Sequence, residues 1–234
     1  MWVGMARSGN ISAVTHEAEA LAPTEAETAE EAYWDRIYGR WDSMKLPEVR
    51  DFMEGFPRPW WVVGGWAIDA FTGHPRNHTD VDMSILACDV PALRAHVADR
   101  WQLWNHTEGG GIRPLTDKYP EISDPASQIW VREHGDAPWV IDVPLTPDHD
   151  GRWTNKFRPD HQAPLDSVTW IAGNGVRYLC PEIVLFFKAR LRRSKDERDF
   201  RLAGPLLTDE KRAWLYEAIA TAWGETHPWL PALT

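Results

Sequence analysis

The stretch that decides the fold is WWVVGGWAIDAFTGHPRNHTDVDMSIL, running from Trp60 to Leu86. Trp60 to Val63 is a short apolar, β-branched run and predicts a strand. Gly64-Gly65 breaks it, and Trp66 to Phe71 resumes as a helix. Val81 to Leu86 predicts a second strand. Residues two apart on a strand share a face, so Asp80 and Asp82 point one way while Val81, Met83 and Ile85 point the other. The two carboxylates then stand roughly 6.6 Å apart, twice the ~3.3 Å rise of a strand. A hard divalent cation held at about 2.1 Å from carboxylate oxygens fits between acids so placed, and Ser84 extends the same polar face. An Asp-x-Asp alone more often marks the wet side of a half-buried strand. Gly64-Gly65 changes that weighing. Glycines between an apolar strand and a helix let the backbone approach a phosphate, and the free N–H groups of a helix start attract an anion. One segment thus offers a phosphate cradle followed by a metal-binding pair.

Phosphoryl-type transfer also uses a further carboxylate, to hold a second metal or to take a proton from the attacking hydroxyl. Asp142 is the candidate, set amid apolar residues in Trp139-Val140-Ile141-Asp142-Val143-Pro144-Leu145. A strand there, paired beside the Asp80–Asp82 strand, faces the same site; the bland alternative is a solvent-facing strand residue. Lys188 lies between Val184 and Leu191 at helical spacing, and Arg192, Lys195 and Asp199 continue a stripe at steps of three or four. Two readings of Lys188 stand level: a cation aimed at triphosphate charge, or a packed stem with its ammonium in water. For Arg192 and Lys195 solvated surface is the better reading. Asp69, on the first helix, reads as an orienting residue rather than a metal ligand.

Around this centre the chain predicts an α+β fold, with a small mixed or antiparallel sheet flanked by helices and a helical C-terminal region. Residues 1–29, rich in Ala, Glu and Thr, read as a flexible leader, residues 30–180 as the α/β core and 181–234 as the helical part. Tyr33, Trp34, Ile37, Tyr38 and Trp41 recur at helical spacing from about Glu31, and further helices are expected over Pro47–Glu54 and Pro91–Arg100. The stretch from Trp104 to Ser127, with Gly109 to Gly111, predicts a long mobile loop. Gln128–His134 and Trp139–Leu145 predict a hairpin, residues 146–166 a polar connection, and Ser167–Ala172 one more strand. Pro181 opens a helix running to Leu191, and Thr208 caps a last one.

Of 234 residues, 43% are hydrophobic and 26% charged, which is the composition of an ordinary globular protein. The net charge of −10 argues against a groove tracking a nucleic-acid backbone and suits a cationic small-molecule partner. Two Cys without Cys-x-x-Cys spacing suggest neither a disulfide scaffold nor a zinc site, and with no membrane-length apolar run and no signal peptide they point to a reducing cytoplasm.

The run Gly64-Gly65-Trp66-Ala67-Ile68-Asp69, followed by Arg76-x-His78-x-Asp80-Val81-Asp82, resembles the antibiotic nucleotidyltransferases. It is most similar to the aminoglycoside 2''-adenylyltransferase and lincosamide nucleotidyltransferase branch of the polymerase-β-like superfamily. The match is strong over about residues 60–86, with a weaker echo at Tyr178–Phe200. The resemblance implies a nucleotidyltransferase sheet, one or two Mg²⁺ ions on the paired aspartates, and transfer of AMP from ATP, or of another nucleoside monophosphate, to a hydroxyl of a small acceptor such as an aminoglycoside or lincosamide. It also implies that Arg76 and His78 stand near the triphosphate or its metal. In this reading Gly64 and Gly65 hold the phosphates, and Asp80, Asp82 and Asp142 carry the metal and the chemistry. Two rivals are a nucleotidyltransferase acting on a protein or tRNA, which the acidic balance disfavours for tRNA, and a nucleotide-binding regulator without turnover.

Overall fold

The computed structural model describes residues 25–107 and 110–234. The expected leader lies outside the described residues as far as residue 24, as does Gly109 of the glycine triplet. From Glu25 the chain is already helical: α1 spans Glu25–Tyr38, an earlier start than the aromatic spacing suggested.

A mixed sheet forms the centre. Its strands are β1 (Trp61–Val62), β2 (Met83–Leu86), β3 (Gln102–His106), β4 (Ile112–Pro114), β5 (Gln128–Arg132), β6 (Ile141–Thr146), β10 (Thr169–Ile171) and β11 (Arg177–Leu179), in the order β10-β11-β1-β2-β6-β5-β3-β4. Eight strands make it larger than the small sheet expected. β1 runs antiparallel to β2 and parallel to β11, while β2 runs parallel to β6. All four residues of β2 are buried. That is why its sequence, Met-Ser-Ile-Leu, carries little polar alternation, and burial of Ile85 and Leu86 contributes about 1.5–3 kcal/mol each.

β5 and β6 form the predicted hairpin, with Val131 opposite Ile141 and Trp130 opposite Asp142. Two stretches expected to be irregular are not. β3 and β4 pair within the supposed mobile loop, and β3 continues the sheet by pairing with β5. Leu103 and Asn105 turn inward on β3, a short alternation that its polar neighbours disguise. Residues 146–166 hold a second, three-stranded antiparallel sheet of β7 (Asp148–His149), β8 (Arg152–Asn155) and β9 (Arg158–Ala163). Half of β9 is exposed, so it lacks the apolar signal of a strand.

Helices α2 (Leu46–Phe52), α3 (Gly64–Thr72), α4 (Val90–Val97) and the single turn α5 (Leu165–Val168) lie among the strands. After β11 the chain is helical, with α6 (Pro181–Ala189), α7 (Ser194–Ala203) and α8 (Asp209–Trp223). Thr208 caps α8 by accepting from the Lys211 N–H. α3 packs against both α6 and α7. One apolar cluster runs from Val49 on α2 through the sheet to Leu233, so the C-terminal helices share the core of the sheet.

Candidate active site

Val63 leaves β1 and donates its N–H to the Asp82 carbonyl at 3.0 Å. The next residue, Gly64, begins α3 with φ of 66°. Only glycine takes that left-handed geometry without strain. A Cβ on Gly64 would stand 2.9 Å from Asp82 Oδ2. The glycine turn and Asp82 therefore lie directly against each other. No side chain caps α3, so the amides of its first turn have neither an intrahelical acceptor nor a cap.

Gly65 is packed as tightly for a different reason. A Cβ there would fall 2.0 Å from Arg76 Nη2 and 2.8 Å from His78 Cε1. Asp69 holds both residues beneath the turn, Arg76 by its backbone and His78 by its ring. Its Oδ2 accepts from the Arg76 N–H at 2.8 Å and from His78 Nε2 at 2.7 Å. His78 stacks on Trp66, whose indole donates to the Asp80 carbonyl at 2.7 Å. Asp69 thus orients the segment that carries Asp80.

Asp80 departs from expectation. The strand starts only at Met83, so Asp80 lies in exposed chain before it and is not two positions along a strand from Asp82. Ser84 departs too: it is buried and donates to the Pro144 carbonyl at 2.7 Å, stitching β2 to β6 instead of extending a wet face. Asp82 and Asp142 do meet, across a parallel bridge. The same rung continues through Trp130 to Trp104, so both acids and both indoles share one face of the sheet.

The electrostatics of the pair are unfavourable as they stand. Burial, reinforced by the charge of Asp80, pushes the Asp82 carboxyl up to about 6. Burial and then the neighbouring Asp82 charge hold Asp142 well above the usual carboxylate range. The Trp130 indole N–H steadies the Asp142 charge but stays outside hydrogen-bonding geometry, and Asp142 Oδ1 is buried without a partner. Two neighbouring carboxylates, one with an orphaned oxygen, are a donor set that a divalent cation would satisfy. Among the described residues no three such side chains are already closed around a common point. The fit rests on Asp82 and Asp142, with Asp80 beside them.

Lys188 is not the free cation that one sequence reading gave it. α6 ends at Ala189 and α7 starts afresh at Ser194, so no continuous stripe forms. The buried ammonium lies 2.9 Å from Asp196 Oδ1 and 2.9 Å from Asp199 Oδ2. Asp199 also meets Arg76, at 3.0 and 3.1 Å, and Asp196 meets Arg193 at 2.9 Å. The result is a chain of paired charges, His78–Asp69–Arg76–Asp199–Lys188–Asp196–Arg193, that ties the glycine turn to α6 and α7.

One residue near the acids escaped the sequence reading. Lys156, in the turn between β8 and β9, is half-buried; burial lowers its pKa while Asp142 and Asp82 oppose that shift. Its signal was hidden in the polar stretch taken for a connection.

Residues 45–100 match the sequence model of the family described as aminoglycoside-2''-adenylyltransferase. No curated protein matches the chain. Two solved structures of ANT(2'')-Ia are similar in fold. The first, a solution structure of this antibiotic-resistance factor, is 20% identical with a TM-score of 0.50, covering 76% of this chain and 90% of that one. The second, a crystal structure in complex with adenylyl-2''-tobramycin, is 19% identical with a TM-score of 0.50, covering 76% and 97%. Residues 45–100 thus carry a signature similar to that family, and the chain shares the fold of ANT(2'')-Ia.

Proposed function

We propose that the chain transfers AMP from ATP to a hydroxyl of an aminoglycoside, with Mg²⁺ held by Asp82, Asp142 and Asp80. The observation that carries this reading is the Asp82–Asp142 bridge, with an orphaned carboxylate oxygen, lying directly against the Gly64 turn. The family described over residues 45–100 is named for adenylyl transfer to the 2'' position, and ANT(2'')-Ia has been captured with an adenylylated tobramycin.

In this reading the uncapped first turn of α3 receives phosphate oxygens, with glycine at both positions because a side chain would collide. Mg²⁺, when bound, neutralises charge at the α-phosphate. Asp142 accepts the proton of the acceptor hydroxyl on the carboxylate oxygen that the metal leaves free. The hydroxyl oxygen then bonds to the α-phosphorus as the bond to the bridging oxygen breaks, and pyrophosphate leaves. Asp69 keeps Arg76 and His78 in place under the turn. Residues 30–180 form the catalytic core of this proposal and 181–234 the helical region braced against it. No helix of the described residues is long and apolar enough to cross a membrane, and Cys88 and Cys180 are both free thiols, which suits a reducing cytoplasm.

The test is pyrophosphate release from MgATP and tobramycin. Asp82→Asn should keep the circular-dichroism spectrum and cut turnover by at least ~100-fold, the usual worth of a positioned acid–base or metal-binding group. Turnover equal to wild type would remove the acid pair from the chemistry.

A further inference from the structure

A bound triphosphate carries more negative charge than a divalent ion cancels, so cations without partners of their own must face it. Arg76 and Lys188 do not qualify. Arg76 spans Asp69 and Asp199, and Lys188 sits between Asp196 and Asp199. A buried cation committed on two sides has no charge to spare, and drawing it away strands a buried carboxylate.

Lys156 is placed differently. It and Phe157 form the two-residue turn between β8 and β9, and fully buried Asn155 fixes that turn by accepting from the Phe157 N–H at 3.0 Å and the Arg158 N–H at 3.2 Å. Phe157 wedges among Phe186, Phe187 and Trp223 of the C-terminal helices. The turn is therefore rigid, and β8 also packs against β6, the strand that carries Asp142. The Lys156 ammonium stands 5.3 Å from the Phe157 ring centre and 5.4 Å from that of Phe187. Arg190 shares the Phe157 ring at 5.2 Å. No carboxylate oxygen of a described residue lies within 4.0 Å of either cation. Two positive charges thus share apolar rings, Lys156 half-buried and Arg190 exposed, and Lys156 lies close enough to Asp142 and Asp82 to feel both of their charges. A polyphosphate held at those carboxylates through a metal would bring its remaining negative charge toward Lys156.

We infer that Lys156, with Arg190 beside it, is the triphosphate clamp of this site, and that Arg76 and Lys188 are structural. This rests on the nucleotidyl-transfer reading and names the residues that would bind its co-substrate. The experiment is calorimetric titration of MgATP, and separately of magnesium tripolyphosphate, into the intact protein and its Lys156→Met, Lys156→Gln, Lys156→Arg, Arg190→Met and Lys188→Met variants. Both neutral Lys156 variants should weaken both ligands about tenfold or more, with Arg190→Met about threefold and Lys156→Arg close to wild type. The affinity of the Lys156 variants for tobramycin should not move, and their thermal midpoint should fall far less than that of Lys188→Met, because the ammonium holds ring contacts and no salt bridge. Lys188→Met should do the reverse, lowering the thermal midpoint while the folded protein keeps its affinity for tripolyphosphate. If wild type binds both ligands and the neutral Lys156 variants bind them equally well, the clamp is wrong while the functional reading stands. If wild type binds neither, the functional reading fails and the clamp fails with it.

Discussion

Asp82 and Asp142 face each other across one bridge of the sheet, and charging either is costly while the other is charged. Their folded-state pKa values are raised, Asp82 to about 6 from 3.8 and Asp142 well above 3.8. A raised acid contributes stability that is complete below its unfolded pKa and is lost as pH rises through its folded value. The metal-free protein should therefore lose stability from this pair between about pH 4 and pH 7. Asp142→Asn removes the repulsion, so with EDTA at pH 8 its thermal midpoint should exceed that of wild type by a few degrees, at ~2–4 °C per ~1 kcal/mol for a chain of this size. At pH 4 the difference should close. Added Mg²⁺ should raise the midpoint of wild type and not of the variant. A thermal-shift series over pH shows it, and a variant less stable than wild type at pH 8 without metal would contradict the account. Asp142 was legible in the sequence because a lone carboxylate in a Val-Ile-Asp-Val run has few bland explanations. Lys156 was not, since nothing in Asn155-Lys156-Phe157 reveals that the turn packs against the C-terminal helices within reach of the acids.

Among the elements, the decisive junction is where α3 meets α6 and α7. The strand–glycine–helix order of β1 and α3 could be read directly, because an apolar run, two glycines and a renewed helical period coincide there. The helix–turn–helix after Pro181 could not. Spacing of three and four from Lys188 to Asp199 assumes one continuous helix, and the break between Ala189 and Ser194 reverses its meaning, turning a presented stripe into an internal ion chain. The polar β7–β9 sheet was hidden for a related reason: exposed strands carry little of the apolar alternation on which strand prediction depends. Asp199 is the centre of the ion chain, 1% exposed and touching both Arg76 and Lys188. Asp199→Asn leaves both cations short of a counter-charge and should cost about 3–5 kcal/mol. Asp209→Asn, which breaks a surface pair with Arg212 whose carboxylate is 98% exposed, should cost about 0–1 kcal/mol. Urea unfolding of both variants separates them; equal losses would mean that the buried chain is not what holds α3 to α7.

For the molecule as a whole, an acidic surface and a cationic neighbourhood around the acid pair do different work. The net charge is −10, yet Lys195 acts on Asp82, and Lys156 acts on both Asp82 and Asp142. Under the proposed function, a polyanionic nucleotide would be met by local cations, whereas a polycationic aminoglycoside would be drawn by the field of the whole protein. The two respond differently to salt. Raising ionic strength from 0.01 to 0.15 M shortens the screening length from ~30 to ~8 Å, which removes long-range attraction and leaves short contacts largely intact. The KM for tobramycin should rise by about three- to tenfold over that range, while kcat holds and the KM for MgATP does not rise. Steady-state kinetics at fixed Mg²⁺ with added KCl measures all three. A tobramycin KM indifferent to salt would mean that the acceptor is recognised by close contacts alone, and that the acidity of the chain serves solubility rather than substrate capture.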